Sequence, residues 1–152
     1  MLLTRNFSLS ELINSPTADR LGIDNTPTHE EIGRLYMLCC NVLQPARDHF
    51  RKPIVINSGY RGPALNKAVG GAADSQHGKG EAVDIELAGG DNWELLRFIR
   101  EYLPHDQIIA EYMIEGDSDA GWVHVSYRED NNRQVALIKN RGESYKQVEN
   151  YA

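Results

Sequence analysis

The chain has 152 residues, with 16 Lys plus Arg against 22 Asp plus Glu and a formal net charge of -6 at pH 7. That length predicts one domain over residues 1–152, and 41% hydrophobic with 25% charged residues is the make-up of a folded, soluble protein. The acidic balance argues against a nucleic-acid binder, which needs a basic face, and against electrostatic docking on an anionic membrane.

Ser8-Leu9-Ser10-Glu11 reads as a capping box opening a short helix to about Asn14. A turn at Asn25-Thr26-Pro27 follows. Thr28-His29-Glu30-Glu31 is a second capping box, opening a long amphipathic helix with Ile32, Leu35, Leu38, Cys39, Val42, Leu43, Ala46 and Phe50 on one stripe. Pro45 should kink or split that helix. The adjacent Cys39 and Cys40 are poorly placed to bridge each other, so no disulfide framework is expected. Pro53 to Asn57 is short and β-branched, hence a strand, and Ser58 to Pro63 leaves it as a loop. A helical turn is expected from Ala64 to Val69, then a strand from Ala82 to Leu87. Asp91 caps a helix with Trp93, Leu96, Ile99 and Tyr102 on one side, ended by Pro104. Gln107 to Met113, Trp122 to Tyr127 and Gln134 to Lys139 are three further strands. The plan is α+β: N-terminal helices packed on a mostly antiparallel sheet with one inserted helix. No run approaches the roughly 20 apolar residues of a membrane helix, and Met1 to Asn6 has no secretory-signal pattern.

Chemistry concentrates in Ser75-Gln76-His77-Gly78-Lys79-Gly80-Glu81-Ala82-Val83-Asp84. In a strand from Ala82, Val83, Ile85 and Leu87 face the core, and Asp84 faces the other side. A carboxylate in an apolar strand needs a partner or a metal. His77 lies across a loop whose glycines, 78 and 80, let the backbone fold back toward Asp84. In Trp122 to Tyr127, His124 faces away from Val123 and Val125 in the same manner. Placed side by side, these strands bring together two imidazoles and one carboxylate, the donor set of a catalytic zinc site with an open fourth position. Such a metal would generate a nucleophilic hydroxide and polarise a carbonyl. His29, His49 and His105 have no comparable setting and read as surface or satisfied core.

The pattern Ser-x-His-x-x-Gly-x-Ala-x-Asp, followed by Trp-x-His, resembles the zinc D-alanyl-D-alanine peptidase family. That family includes carboxypeptidases, dipeptidases and L-alanyl-D-glutamate endopeptidases, and its fold is shared with the hedgehog signalling domain. The resemblance is to a small branch found in bacteria and phages, and Phe7 to Leu12, Leu21 to Pro27 and Ser58 to Arg61 fit it too. It implies a zinc peptidase acting on peptidoglycan stem peptides, with His77, Asp84 and His124 as ligands. Arg61 would stabilise an oxyanion or hold a substrate carboxylate, and Ser75 and Gln76 would orient ligands or substrate. No nucleic acid, membrane or second subunit is expected as partner. A chain made in the cytoplasm would reach the periplasm or wall only after release, for example in phage lysis.

Many family members carry an acid three residues before the last His. Here that position is Gly121. The candidate bases are Glu111, then Asp119, with Glu115 and Asp117 in the same turn. A hairpin centred between Asp117 and Ser118 would put Glu111 opposite His124. Without a positioned base the same fold could serve as a zinc-containing binding module; with a fourth protein ligand it could be a structural site in a phage particle.

Overall fold

The protein was described from a computed structural model covering residues 1–152. A small antiparallel hairpin, β1 (Leu2–Thr4) and β2 (Phe7–Ser8), opens the chain. Ser8 then caps α1 (Leu9–Ile13) with the expected capping box, its own N–H donating to the Glu11 carboxylate at 2.8 Å. A helix that the hydrophobic pattern does not announce follows, α2 (Pro16–Leu21). Its signals are local: Ser15 caps it, Pro16 fills its first turn, and Gly22 ends it at φ 66°.

The second capping box opens α3 (His29–Leu38), which runs on through a π-helical turn at Cys39–Leu43 into α4 (Gln44–Phe50). Pro45 neither breaks nor splits the helix. The turn before it widens, so that the Gln44 N–H reaches back five residues to the Cys39 carbonyl. Proline has no N–H to give the carbonyl four residues earlier and its ring crowds that oxygen; one wide turn relieves both problems. Cys39 and Cys40 are free thiols, and burial pushes Cys39 up to about 12.

The remaining elements are β3 (Ile54–Ser58), α5 (Pro63–Ala68), β4 (Ala82–Leu87), α6 (Asn92–Tyr102), β5 (Gln107–Glu111), β6 (Trp122–Ser126), β7 (Val135–Lys139) and β8 (Lys146–Val148). The six strands β3 to β8 form one sheet in the order β3-β4-β6-β5-β7-β8. It is antiparallel except between β5 and β7. Strand β8, a polar edge strand of three residues, carries no apolar run by which to recognise it.

Alternation along the strands gives the sheet two unlike faces. Val83, Ile85, Val123, Val125, Ile108 and Ala110 pack against Leu35, Leu38, Val42 and Leu43 of the long helix and Leu95, Leu96 and Ile99 of α6. The buried stripe of α6 begins at Asn92, whose side-chain oxygen accepts the Leu87 N–H at 2.9 Å. Tyr102, expected on that stripe, is therefore rotated outward and 66% exposed. No helix is long and apolar enough to cross a membrane.

The chain end is tied back. Arg97 grips the Ala152 carbonyl, Arg100 grips the Glu149 carbonyl, and the Tyr151 hydroxyl lies 2.7 Å from the Leu137 carbonyl and 2.9 Å from that of Ile108. His105 supports this junction from below. Its Nδ1–H donates to the Leu103 carbonyl at 2.8 Å and its Nε2 accepts from Arg100 at 3.2 Å. Burial, aided by the Arg100 charge, holds its pKa below the ordinary histidine value, against the pull of the Leu103 carbonyl and Asp106.

Candidate metal centre

The uncovered face of the sheet carries Asp84 and His124 as a directly opposed pair on β4 and β6. His124 Nδ1 lies 2.9 Å from Asp84 Oδ1, and His77 Nε2 lies 3.4 Å from the same oxygen. One donor atom from each of the three residues falls within 4.8 Å of the other two. Ligands about 2.0–2.1 Å from a tetrahedral zinc are separated by about 3.3 Å, so both measured edges suit that ion. Burial pushes the Asp84 carboxyl up, but hydrogen bonds from His124 and His77 outweigh it and hold it well below the usual carboxylate range. A low pKa keeps the carboxylate ready to bind a cation. The cluster has no fourth protein donor, which leaves one tetrahedral position open.

His77 is oriented from behind. A carbonyl can only accept, so the 2.7 Å contact between His77 Nδ1 and the Gly59 oxygen puts a proton on Nδ1 and makes Nε2 the ring atom that faces Asp84. The ring sits on a 3-10 turn, Gln76–Lys79, capped by Ser75, whose hydroxyl accepts the His77 N–H at 3.2 Å. Gly80 closes that turn at φ 74°, where a Cβ would stand 2.7 Å from the Glu31 carbonyl oxygen.

The same carbonyl contact ties the centre to the loop bearing Arg61. The Arg61 N–H donates to the His77 carbonyl at 3.0 Å, and the Tyr60 N–H to the Leu12 carbonyl at 2.7 Å. Gly59 is pressed against the Leu12 carbonyl, where no side chain would fit. Asn25 fastens the loop from the outside. Its Nδ2 donates to the Ile13 and Tyr60 carbonyls at 2.9 and 3.0 Å, and its Oδ1 accepts the Gly62 N–H at 2.8 Å. Arg61 lines the groove over the centre, and its Nε is buried without a hydrogen-bond partner. Sequence reading missed Asn25 as a positioning residue. It stood in the Asn25-Thr26-Pro27 segment read as a turn, inside the Leu21 to Pro27 stretch that fits the family resemblance.

Glu111 reaches the centre in a different register from the one expected. It pairs with Trp122, and Ile109 is the residue opposite His124. The hairpin is thus shifted by two residues from the assumed one. Two is a whole strand period, so Glu111 still points to the His124 face, with Oε1 3.9 Å from His124 Nδ1. Burial pushes its carboxyl up; His124 and Arg61 pull it down and Asp84 pushes it further up. Asp119, Glu115 and Asp117 are exposed in the β5–β6 turn, and none lines the groove. Gly121 adopts φ 65°, and a Cβ there would run into the Glu111 carbonyl. The position that often carries an acid therefore has no room for one in this chain, and the carboxylate beside His124 comes from the neighbouring strand.

These groups lie in one open groove of about 870 Å³. Ser75 and Gln76 are in its wall. Gln76 Nε2 donates to Glu81 at 3.1 Å and to Asp106 at 3.0 Å. Asp106, fully buried, also takes the Arg133 guanidinium at 3.0 and 2.7 Å. This network holds the start of the His77 turn against β5.

The pattern of residues 5–126 matches the family model described as Peptidase M15. Comparison with curated proteins gives no match. The matched stretch takes in Arg61, the three convergent donors and Glu111, on an α+β fold with a mostly antiparallel six-stranded sheet; the chain belongs to the peptidase M15 family, of the zinc D-Ala-D-Ala carboxypeptidase type.

Proposed function

We propose that the protein is a zinc peptidase that cleaves peptide bonds in peptidoglycan stem peptides, with His77, Asp84 and His124 as the zinc ligands and Glu111 as the general base. The observation that carries this reading is the Glu111 carboxylate at 3.9 Å from His124 Nδ1, on the open face, beside a three-donor cluster. A binding module would need no carboxylate there, and a structural site would need a fourth protein donor.

Zinc, when bound, polarises the scissile carbonyl and brings the pKa of water down toward neutrality. Glu111 takes the proton from the attacking water and returns it to the leaving amine; half-burial, which raises its pKa, suits it to both steps. The Arg61 guanidinium, with an unsatisfied Nε and its backbone fixed to His77, stabilises the oxyanion that forms over the centre. Ser75 and Gln76 fix the His77 turn and border the substrate.

The test is Glu111→Gln, which keeps shape and hydrogen bonding but cannot take a proton. Metal analysis should find about one zinc per chain in wild type and variant alike. Turnover of muropeptides, followed by mass spectrometry, should fall at least ~10²-fold. Wild-type zinc protein that leaves every muropeptide intact would overturn the reading, as would a fully active variant.

A further inference from the structure

The groove is not symmetric about the centre. Glu111, Trp122 and Tyr145 stand toward one end. At the other end β6 runs out past Ser126 to Arg128, β7 begins after Arg133, and Lys79 closes the His77 turn; all three cations line the groove. Arg133 is held by Asp106 through two oxygens, which fixes the fork and compensates its charge. Arg128 and Lys79 form no ion pair at all. The acids in the groove wall are committed or remote. Asp84 faces the two histidines, Glu81 takes the Gln76 amide, and Asp74 is exposed on the rim loop. In a protein of net charge -6, this end places two cations without ion-pair partners, Arg128 and Lys79, in the groove wall where an anionic substrate group could reach them.

Building on the peptidase reading above, we propose that Arg128 and Lys79, with Arg133 as a fixed neighbour, form a subsite for a substrate carboxylate some residues away from the scissile bond. His124 and Arg128, four residues apart in the chain, line the same groove. At a strand rise of about 3.3 Å per residue, the Arg128 backbone lies at most about 13 Å from that of His124. An extended peptide covers that span in about four residues, and the length of an arginine side chain shortens it, so the carboxylate sits about two to four residues from the bond that is cut. Arg128 and Arg133 both lie past residue 126, outside the stretch that matches the family. Of the subsite's cations only Lys79 lies inside that stretch.

The experiment uses zinc-loaded full-length protein and a set of stem peptides in which each free carboxylate in turn is replaced by a carboxamide. Amidating the carboxylate that the subsite holds should raise KM by about 10- to 100-fold, the value of a charge-assisted contact, with kcat little changed. In R128A/K79A the free acid should fall to the level of the amide, at unchanged zinc content. Calorimetric binding of the same peptides to the zinc-loaded Glu111→Gln variant gives a readout that does not need turnover, and it should show the same preference. Equal binding of every acid and amide pair, or a preference that survives in R128A/K79A, overturns the subsite. Peptides that bind with the preference but are never cut by wild type would leave the subsite standing and overturn the peptidase reading instead.

Discussion

Replacing Asn25 by Ala removes three hydrogen bonds at once, two donated to the Ile13 and Tyr60 carbonyls and one accepted from the Gly62 N–H. Each such bond contributes about 1 kcal/mol net. Asn25 is half-buried, so water can partly replace what is lost, and the expected cost is about 2–3 kcal/mol. For a chain of this size that corresponds to a melting temperature lower by roughly 4–12 °C. The effect on the site should be larger than the effect on the fold, because the freed segment is the one that carries Arg61 and supplies the Gly59 carbonyl to His77. Calorimetry gives the first quantity. Amide exchange at Arg61 and Gly62, measured in the zinc-free protein, gives the second. Asn25→Asp separates the contributions: it keeps an acceptor for Gly62 but faces two carbonyl oxygens with a carboxylate, and should be no more stable than the alanine variant. An Asn25→Ala protein that melts with wild type and keeps its protection at Arg61 and Gly62 would refute the claim that this side chain holds the loop.

Three further outcomes are expected. Arg61→Lys should keep zinc and fold yet lose about 10²-fold in rate, since a point charge cannot reproduce the planar fork; single-turnover kinetics would detect it. Gly121→Ala should cost more than about 2 kcal/mol in urea unfolding, because φ 65° and the Glu111 carbonyl both oppose a Cβ, whereas Gly116→Ala, with open space around it, should cost less. His105, facing Arg100 and Asp106, takes a proton less readily in the fold than in the unfolded chain, where it does so below about pH 6.5. Its contribution is therefore intact above that pH and is lost as the pH falls, by up to about 1.4 kcal/mol per unit. The stability of His105→Gln should decline less than that of wild type between pH 7 and 5; parallel curves would remove His105 as an acid-sensitive group.

What the sequence made legible is what strand alternation and capping chemistry dictate. Asp84 and His124 interrupt apolar alternation, so their common face could be read without knowing that β4 and β6 are neighbours. Ser8-x-x-Glu11 and Thr28-x-x-Glu31 declared their helices because side chain and backbone satisfy each other locally. Glu111 was found through a register that was wrong by a full strand period, and only the parity of the error preserved its side of the sheet. Asn25 and Asp106 were missed for a different reason. Their partners lie 12 to 37 and 27 to 30 residues away, most of them outside any periodic segment, and a single polar residue in a turn does not reveal which distant carbonyls or guanidinium it will meet. Helix α2 and strand β8 were too short and too polar to register as hydrophobic periods, although Ser15, Pro16 and Gly22 punctuate α2 at both ends.

Strand β6 follows β4 and β5 in the chain yet lies between them. As the polypeptide emerges from the ribosome, β4 and β5 cannot close on one another; each must wait with an open edge for Trp122 to Ser126 to arrive. That late strand brings His124 with it. Joining β4 to β5 and completing the donor set thus both depend on the same strand, the last to pair with β4, while β7 and β8 still follow at the far edge. An ion held by His77, Asp84 and His124 is expected to bind after β4 and β6 have paired rather than to seed that pairing, because its donors meet only there. Its expected kinetic signature is a slower rate of unfolding with the rate of refolding left where it was.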